Sequence, residues 1–166
     1  MKLKMLFVMF AMAFACLSWP VIAATPAPAP APAPSVTVQS IKGEFEDIRE
    51  RVVLAIGNHG LVLNYTAHIG NMLQRTGKDI GRDRHIYGNA ELLEFCSASA
   101  SRSTMEANPH NIVYCPYAIA IYTLPAQPEK VYVSYRKPLP SGSAQSMKAL
   151  RDVGRLLDSI AREALK

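Results

Sequence analysis

From Pro26 to Pro34 every second residue is proline, with alanine in the gaps. Proline has a fixed φ and no amide proton, so this stretch can enter neither a helix interior nor a central strand. It reads as an extended polyproline II spacer with a reach of roughly 30 Å at about 3.1 Å per residue. Its role is either to hold a domain off a surface or to remain as a tail after processing. Anything that folds into a core must come from residues 35–166, a length that suits one domain and is too short for two.

Ahead of the spacer, Lys2 and Lys4 precede an apolar run from Met5 to Trp19 that only Ser18 relieves. Pro20 breaks it, and Val21-Ile22-Ala23-Ala24 offers the small residues that a signal peptidase requires. This is the layout of a secretory signal peptide over residues 1–24, with cleavage expected after Ala23 or Ala24 and a periplasmic destination. The run falls short of the roughly 20 residues that span a bilayer core. The alternative is an uncleaved anchor tethering the protein to the inner membrane, the only membrane contact expected. A lipid attached at Cys16 is disfavoured by the bulk of Phe14.

Cleavage would remove Lys2 and Lys4 and take the formal net charge from +5 to +3. The remaining charges form no run of one sign, which argues against a nucleic-acid partner. Asn64-Tyr65-Thr66 matches a glycosylation acceptor but falls inside an expected strand.

Within residues 35–166 the pattern alternates between strand and helix periods. Residues 35–40 alternate polar and β-branched side chains, a first strand. From Glu44 the period changes: Phe45, Ile48, Val52 and Ala55/Ile56 line one helical face, and Gly60 is the stop. Residues 61–66 read as a second strand and 70–76 as a short helix with Met72 and Leu73 inward. A Gly- and Arg-rich loop follows to Gly88, then a strand over 91–96 and a helix over 97–108 anchored by Met105. Residues 117–124 and 130–135 flank a turn with Pro125 and Pro128, a hairpin. Residues 144–165 form the longest helix, with a stripe of Leu150, Val153, Leu157, Ile160 and Ala164. The sum is α+β: a mostly antiparallel sheet of about five strands, helices packed on one face, and a long amphipathic C-terminal helix.

Several of these residues form a recognisable set. The helix running into Gly60-Leu61 and a strand, Met72-Leu73-Gln74-Arg75-Thr76, Phe95-Cys96, and above all Cys115-Pro116-Tyr117-Ala118-Ile119-Ala120-Ile121-Tyr122 resemble the family known as domain of unknown function 302. The resemblance covers about ninety residues. It implies a small α+β domain without an established catalytic activity, often dimeric. Two departures bear on thiol chemistry. Many members have Asn-Pro after the first cysteine, where this chain has Ser97-Ala98, and many place a cysteine after the proline, where Cys115 here precedes Pro116. The second sulfur is therefore expected to point to the other face of its strand.

No complete catalytic motif is present, and no cofactor is assigned. Cys96 and Cys115 are the two cysteines of the mature chain, and His110 lies just before Cys115. The three open a choice between a disulfide, two inert buried thiols, and a redox or metal site. Were the strands holding the cysteines joined by a parallel crossover, the pair would stand roughly 15–20 Å apart, beyond the about 7 Å a bridge tolerates. Arg82 and Arg84, with Lys78 and His85, could hold an anion. Tyr117 and Tyr122, among a tyrosine cluster at the hairpin, could line a groove for a small planar ligand. Glu91 and Glu94 face opposite sides of one strand and cannot form a dyad. The leading expectation is an exported, non-enzymatic envelope protein that binds a small molecule or an envelope protein. The alternative is a thiol- or metal-dependent redox accessory using Cys96 and Cys115.

Overall fold

A computed structural model describes residues 36–166. The signal segment and spacer expected over residues 1–34 lie outside the described residues. The described residues fall within one compact unit.

The elements run in chain order as β1 (Val36–Lys42), α1 (Phe45–Asn58), β2 (Val62–Ala67), α2 (Ile69–Asp79), β3 (Ala90–Cys96), α3 (Ala98–Ala107), a 3-10 turn (Pro109–Tyr114), β4 (Tyr117–Leu124), β5 (Gln127–Arg136) and α4 (Ala144–Ala164). The strands form one five-stranded sheet in the order β1-β5-β4-β3-β2. Every neighbouring pair is antiparallel. The α+β expectation therefore holds, down to the five strands and the terminal helix.

Period-two alternation assigns the two faces of the sheet. On one face Leu93, Phe95, Tyr117, Ile119, Ile121, Val131, Val133 and Tyr135 are buried. Against them pack the α1 stripe of Phe45, Ile48, Val52, Ala55 and Ile56 and the α4 stripe of Val153, Leu157, Ile160, Ala161 and Ala164. Burying a side chain of this size is worth roughly 1.5–3 kcal/mol, so these two stripes fix both helices on one side. Among the described residues no helix stripe packs on the opposite face, with Val36, Val38, Ala118, Ala120, Leu92 and Ser134.

Two helices depart from the sequence reading. α2 continues to Asp79, and its only buried residue is Gly77, while Met72 is 40 % exposed. This short helix buries little apolar surface. In α3 the buried residue is Thr104 rather than Met105, because the helix leans on the 3-10 turn, where Asn111 donates to the Thr104 carbonyl at 2.9 Å. Ser97 caps α3 by accepting from the Ala100 amide.

Candidate functional site

The loop between α2 and β3 is the first of the sequence-derived sites to take shape. Gly77, although helical, has its carbonyl used twice at the helix end, by the amides of Ile80 and Arg82. The close return of the chain leaves no room for a side chain there: a Cβ on Gly77 would stand 2.4 Å from the Arg82 carbonyl oxygen. Gly81 takes a φ of 67°, in the left-handed region that glycine occupies without strain. The fold-back creates a cavity of about 180 Å³ whose lining includes Thr76, Arg82, Asp83, Arg84, His85 and Tyr87. Arg82 and Arg84 thus line the same cavity. Neither joins an ion pair among the described residues. Asp83 is the one carboxylate on the lining.

The tyrosine pair does not hold together. Tyr117 and Tyr122 are five residues apart on β4, and an odd separation puts them on opposite faces. Tyr117 is 3 % exposed and belongs to the core, edge-on to Phe95 at 6.4 Å. Tyr122 lies on the uncovered face, stacked on Tyr132 at 5.1 Å and edge-on to Tyr87 at 5.4 Å. Tyr122 therefore remains a candidate contact, through Tyr87, which lines both the arginine cavity and an open groove of about 230 Å³ with Tyr122, Leu92 and Ala120. Tyr117 does not.

The cysteines are also placed differently from the parallel-crossover estimate. β3 and β4 are antiparallel, with Phe95 opposite Tyr117, so Cys96 and Cys115 sit at the same end of the sheet. Both thiols are free; Cys96 is exposed and Cys115 half-buried. Burial first, and then the neighbouring Cys115, push the Cys96 thiol up from its ordinary value. The Cys115 sulfur lies 3.1 Å from the Ser101 hydroxyl. His110 is exposed on the 3-10 turn, its amide donating to Asn108. No three metal-binding side chains converge among the described residues, so the grouping of Cys96, Cys115 and His110 is not formed.

With the geometry set, the comparison with known families decides the lineage. The model of the domain of unknown function DUF302 matches residues 36–164, nearly the whole described chain. The chain belongs to the DUF302 family. The crystal structure of an uncharacterized conserved DUF302 protein from Bacillus stearothermophilus superposes with a TM-score of 0.67 at 12% identity, covering 80% of this chain and 99% of that one. At that identity the likeness speaks for the fold alone. No curated protein matches the sequence.

Two polar clusters of this DUF302 domain escaped the sequence reading. Glu91 accepts from Arg49 at 2.6 Å and pairs with His68 at 2.9 Å, joining α1, β3 and the start of α2. The hydrogen bond to Glu91 is the main cause that raises the Arg49 guanidinium above its ordinary value. Asp158 of α4 accepts from Tyr135 and pairs with Lys137 at 2.8 Å. In both, the partners lie tens of residues apart with no spacing rule to link them, so only the folded chain brings them together. A signal existed for one: Glu91 stands on the helix-covered face of β3, where a carboxylate requires a cation.

Proposed function

We propose that this chain is an exported, non-enzymatic binding module of the cell envelope, and that it takes a small anionic molecule at the α2–β3 loop. The observation that carries this reading is the cavity of about 180 Å³ where Arg82 and Arg84 stand without carboxylate partners of their own among the described residues. Guanidinium groups recognise carboxylates through paired donors, and Tyr87 gives the cavity an aromatic wall. The chemistry that fits is a small planar carboxylate. Its charge would meet the arginines and its ring would lie toward Tyr87 and Tyr122. Export rests on the residue 1–24 layout, with Ala23 or Ala24 as the last residue removed.

The test is an NMR titration with a benzoate series, following the amides of Gly77, Gly81 and Gly88. Saturable shifts centred on those glycines are expected. They should weaken at least tenfold in an Arg82→Ala/Arg84→Ala variant, as loss of charge-assisted hydrogen bonds requires. Absence of shifts at millimolar ligand, or shifts that survive the double substitution, would dismiss the site.

A second reading has its own support, because the antiparallel pairing sets two free thiols at one end of the sheet. In an oxidising compartment such a pair can serve as a reversible dithiol. Thiol titration of the native protein after mild disulfide exchange separates the readings. A stepwise loss of both thiols without dimer formation supports the dithiol, and two thiols that remain titratable leave only the binding module.

A further inference from the structure

At the other end of the sheet from the α2–β3 loop, the 3-10 turn and the segment after β5 border a second cavity, of about 260 Å³. The two cavities share no residue. Val113 of the turn, with Pro138 and Leu139 of the segment, forms the walls. The core residues Tyr117 and Leu157 form the floor. Val113 is 77% exposed and Leu139 52%, and Ile112, next to Val113 in the chain, is 63% exposed. Large aliphatic side chains gathered in water at one opening mark a binding surface. The charge around it is one-sided. Arg136 and Lys137 line the cavity, and no carboxylate does among the described residues. Arg136 joins no ion pair among the described residues. Lys137 pairs with Asp158 at 2.8 Å, which uses one of its three donors and leaves two for another acceptor.

We propose that this cavity binds an unbranched aliphatic carboxylate, a single-chain fatty acid. Its head group would meet Arg136 and Lys137, and its chain would lie along Val113 and Leu139 above the Leu157 floor. Charge complementarity selects the head, since a guanidinium takes a carboxylate through paired donors and an ammonium adds a point charge. Carbon selects the tail. The α2–β3 cavity mixes Thr76, Asp83 and His85 with its arginines, whereas valine, leucine and proline build these walls. A bound chain would also take the exposed aliphatic side chains at the opening out of water, which favours association in proportion to the area covered. The volume lies below the roughly 300–1,000 Å³ of pockets for drug-sized ligands, so it suits one chain rather than the paired chains of a bilayer lipid.

Calorimetric titration of the purified protein with hexanoate, octanoate and decanoate below their micellar range, with amide shifts followed by NMR, tests this. One molecule should bind per chain, with shifts centred on Val113, Ala118 and Leu139 rather than on Gly77, Gly81 and Gly88. Affinity should rise by about three- to fourfold for each added methylene, as burial of a CH2 group requires. Arg136→Gln should weaken decanoate binding by on the order of tenfold or more, and so should Val113→Asp, which sets a like charge on the wall. Both positions are exposed, and circular dichroism should show both variants folded. Decyltrimethylammonium, with a similar tail and the opposite charge, should not compete. The proposal is overturned by the absence of saturable binding, by affinity independent of chain length, by equal binding of the cationic amphiphile, or by variants that bind like the parent. Shifts at Val113 and Leu139 with anionic phospholipid vesicles but not with decanoate would assign the patch to a membrane surface, and overturn it as well. Benzoate is read at the glycines and decanoate at Val113 and Leu139, so the failure of one site leaves the other standing.

Discussion

Tyr117 and Tyr135 stand on the same buried face of the sheet, each 3% exposed, yet their hydroxyls have opposite fates. The Tyr135 hydroxyl donates to Asp158 and accepts from Gln39 at 3.3 Å. Burial first, then the Asp158 carboxylate, push its phenol up to about 12. Burial opposes the Asp158 charge, but the hydrogen bonds from Lys137 and Tyr135 outweigh it and hold that carboxyl below its ordinary range. The signs follow. The Tyr135 contribution is intact below the unfolded phenol value of about 10 and is lost as pH rises from there through about 12. The Asp158 contribution is present above about pH 4 and fades as pH falls through its lowered folded value. Tyr135→Phe should cost about 1–3 kcal/mol at pH 7 and flatten the loss of stability between pH 10 and 12, as urea unfolding at both ends would show. The Tyr117 hydroxyl is buried without a partner. Ser101, Thr104 and Cys115 are close enough to act on it, while burial chiefly raises its phenol. None meets it in hydrogen-bonding geometry among the described residues. Tyr117→Phe should therefore be neutral or stabilising by up to about 1–2 kcal/mol. A loss above 1 kcal/mol in the same assay would mean that the hydroxyl is bonded after all.

The elements divide by how much of their shape is local. α4 shows its stripe in the sequence because one face must meet the sheet for 21 residues, and Leu150, Val153, Leu157 and Ile160 are each at most 1% exposed. Leu157→Asp should destabilise the domain by several kcal/mol, since it would put a carboxylate in the apolar core at a position 1% exposed. An unchanged melting temperature would contradict the packing. α1 was equally readable, stripe and stop alike. What could not be read was the α2–β3 loop, whose cavity depends on the chain returning to Gly77 through a hydrogen bond of 2.7 Å from the Arg82 amide. The sequence reading ends the helix at residue 76 and leaves Gly77 to the loop, whereas Gly77 lies within α2 and is the point of closest approach. Gly77→Ala should cost about 1–3 kcal/mol by forcing the Arg82 carbonyl away, and it should weaken benzoate binding while the sheet keeps its chemical shifts. The tyrosine site failed for a different reason. Alternation along β4 was sufficient to separate Tyr117 from Tyr122, but composition at the hairpin drew them together. The cysteine spacing failed because strand direction between β3 and β4 is a matter of topology, and a connection through α3 is long enough for either direction.

At the scale of the molecule, the core of the described residues is built from residues 36–166. Every residue of the buried cluster lies between Phe45 and Ala164, and β1, the first described element, pairs along its length with β5. Its inward side chains Thr37, Gln39 and Ile41 are half-buried, so the strand closes the sheet and does not contribute to the centre of the core. The buried cluster of the described residues is thus supplied from Phe45 onward, and the domain is expected to fold without the segment expected to direct export and the proline spacer. A chain beginning at Ala33 is expected to melt within about 2 °C of the full-length protein, in keeping with substitutions remote from any core contact, which fall within about 0.5 kcal/mol. Expressed with its N-terminus in a bacterial host, the protein should be recovered from the periplasm with a mass that starts at Ala24 or Thr25. An intact Met1 in a salt-resistant membrane fraction would establish the tether in place of cleavage. A truncated chain that melts more than about 5 °C lower would show that residues before Ala33 pack on the domain, and the uncovered face beside β1 would be the first place to look for them.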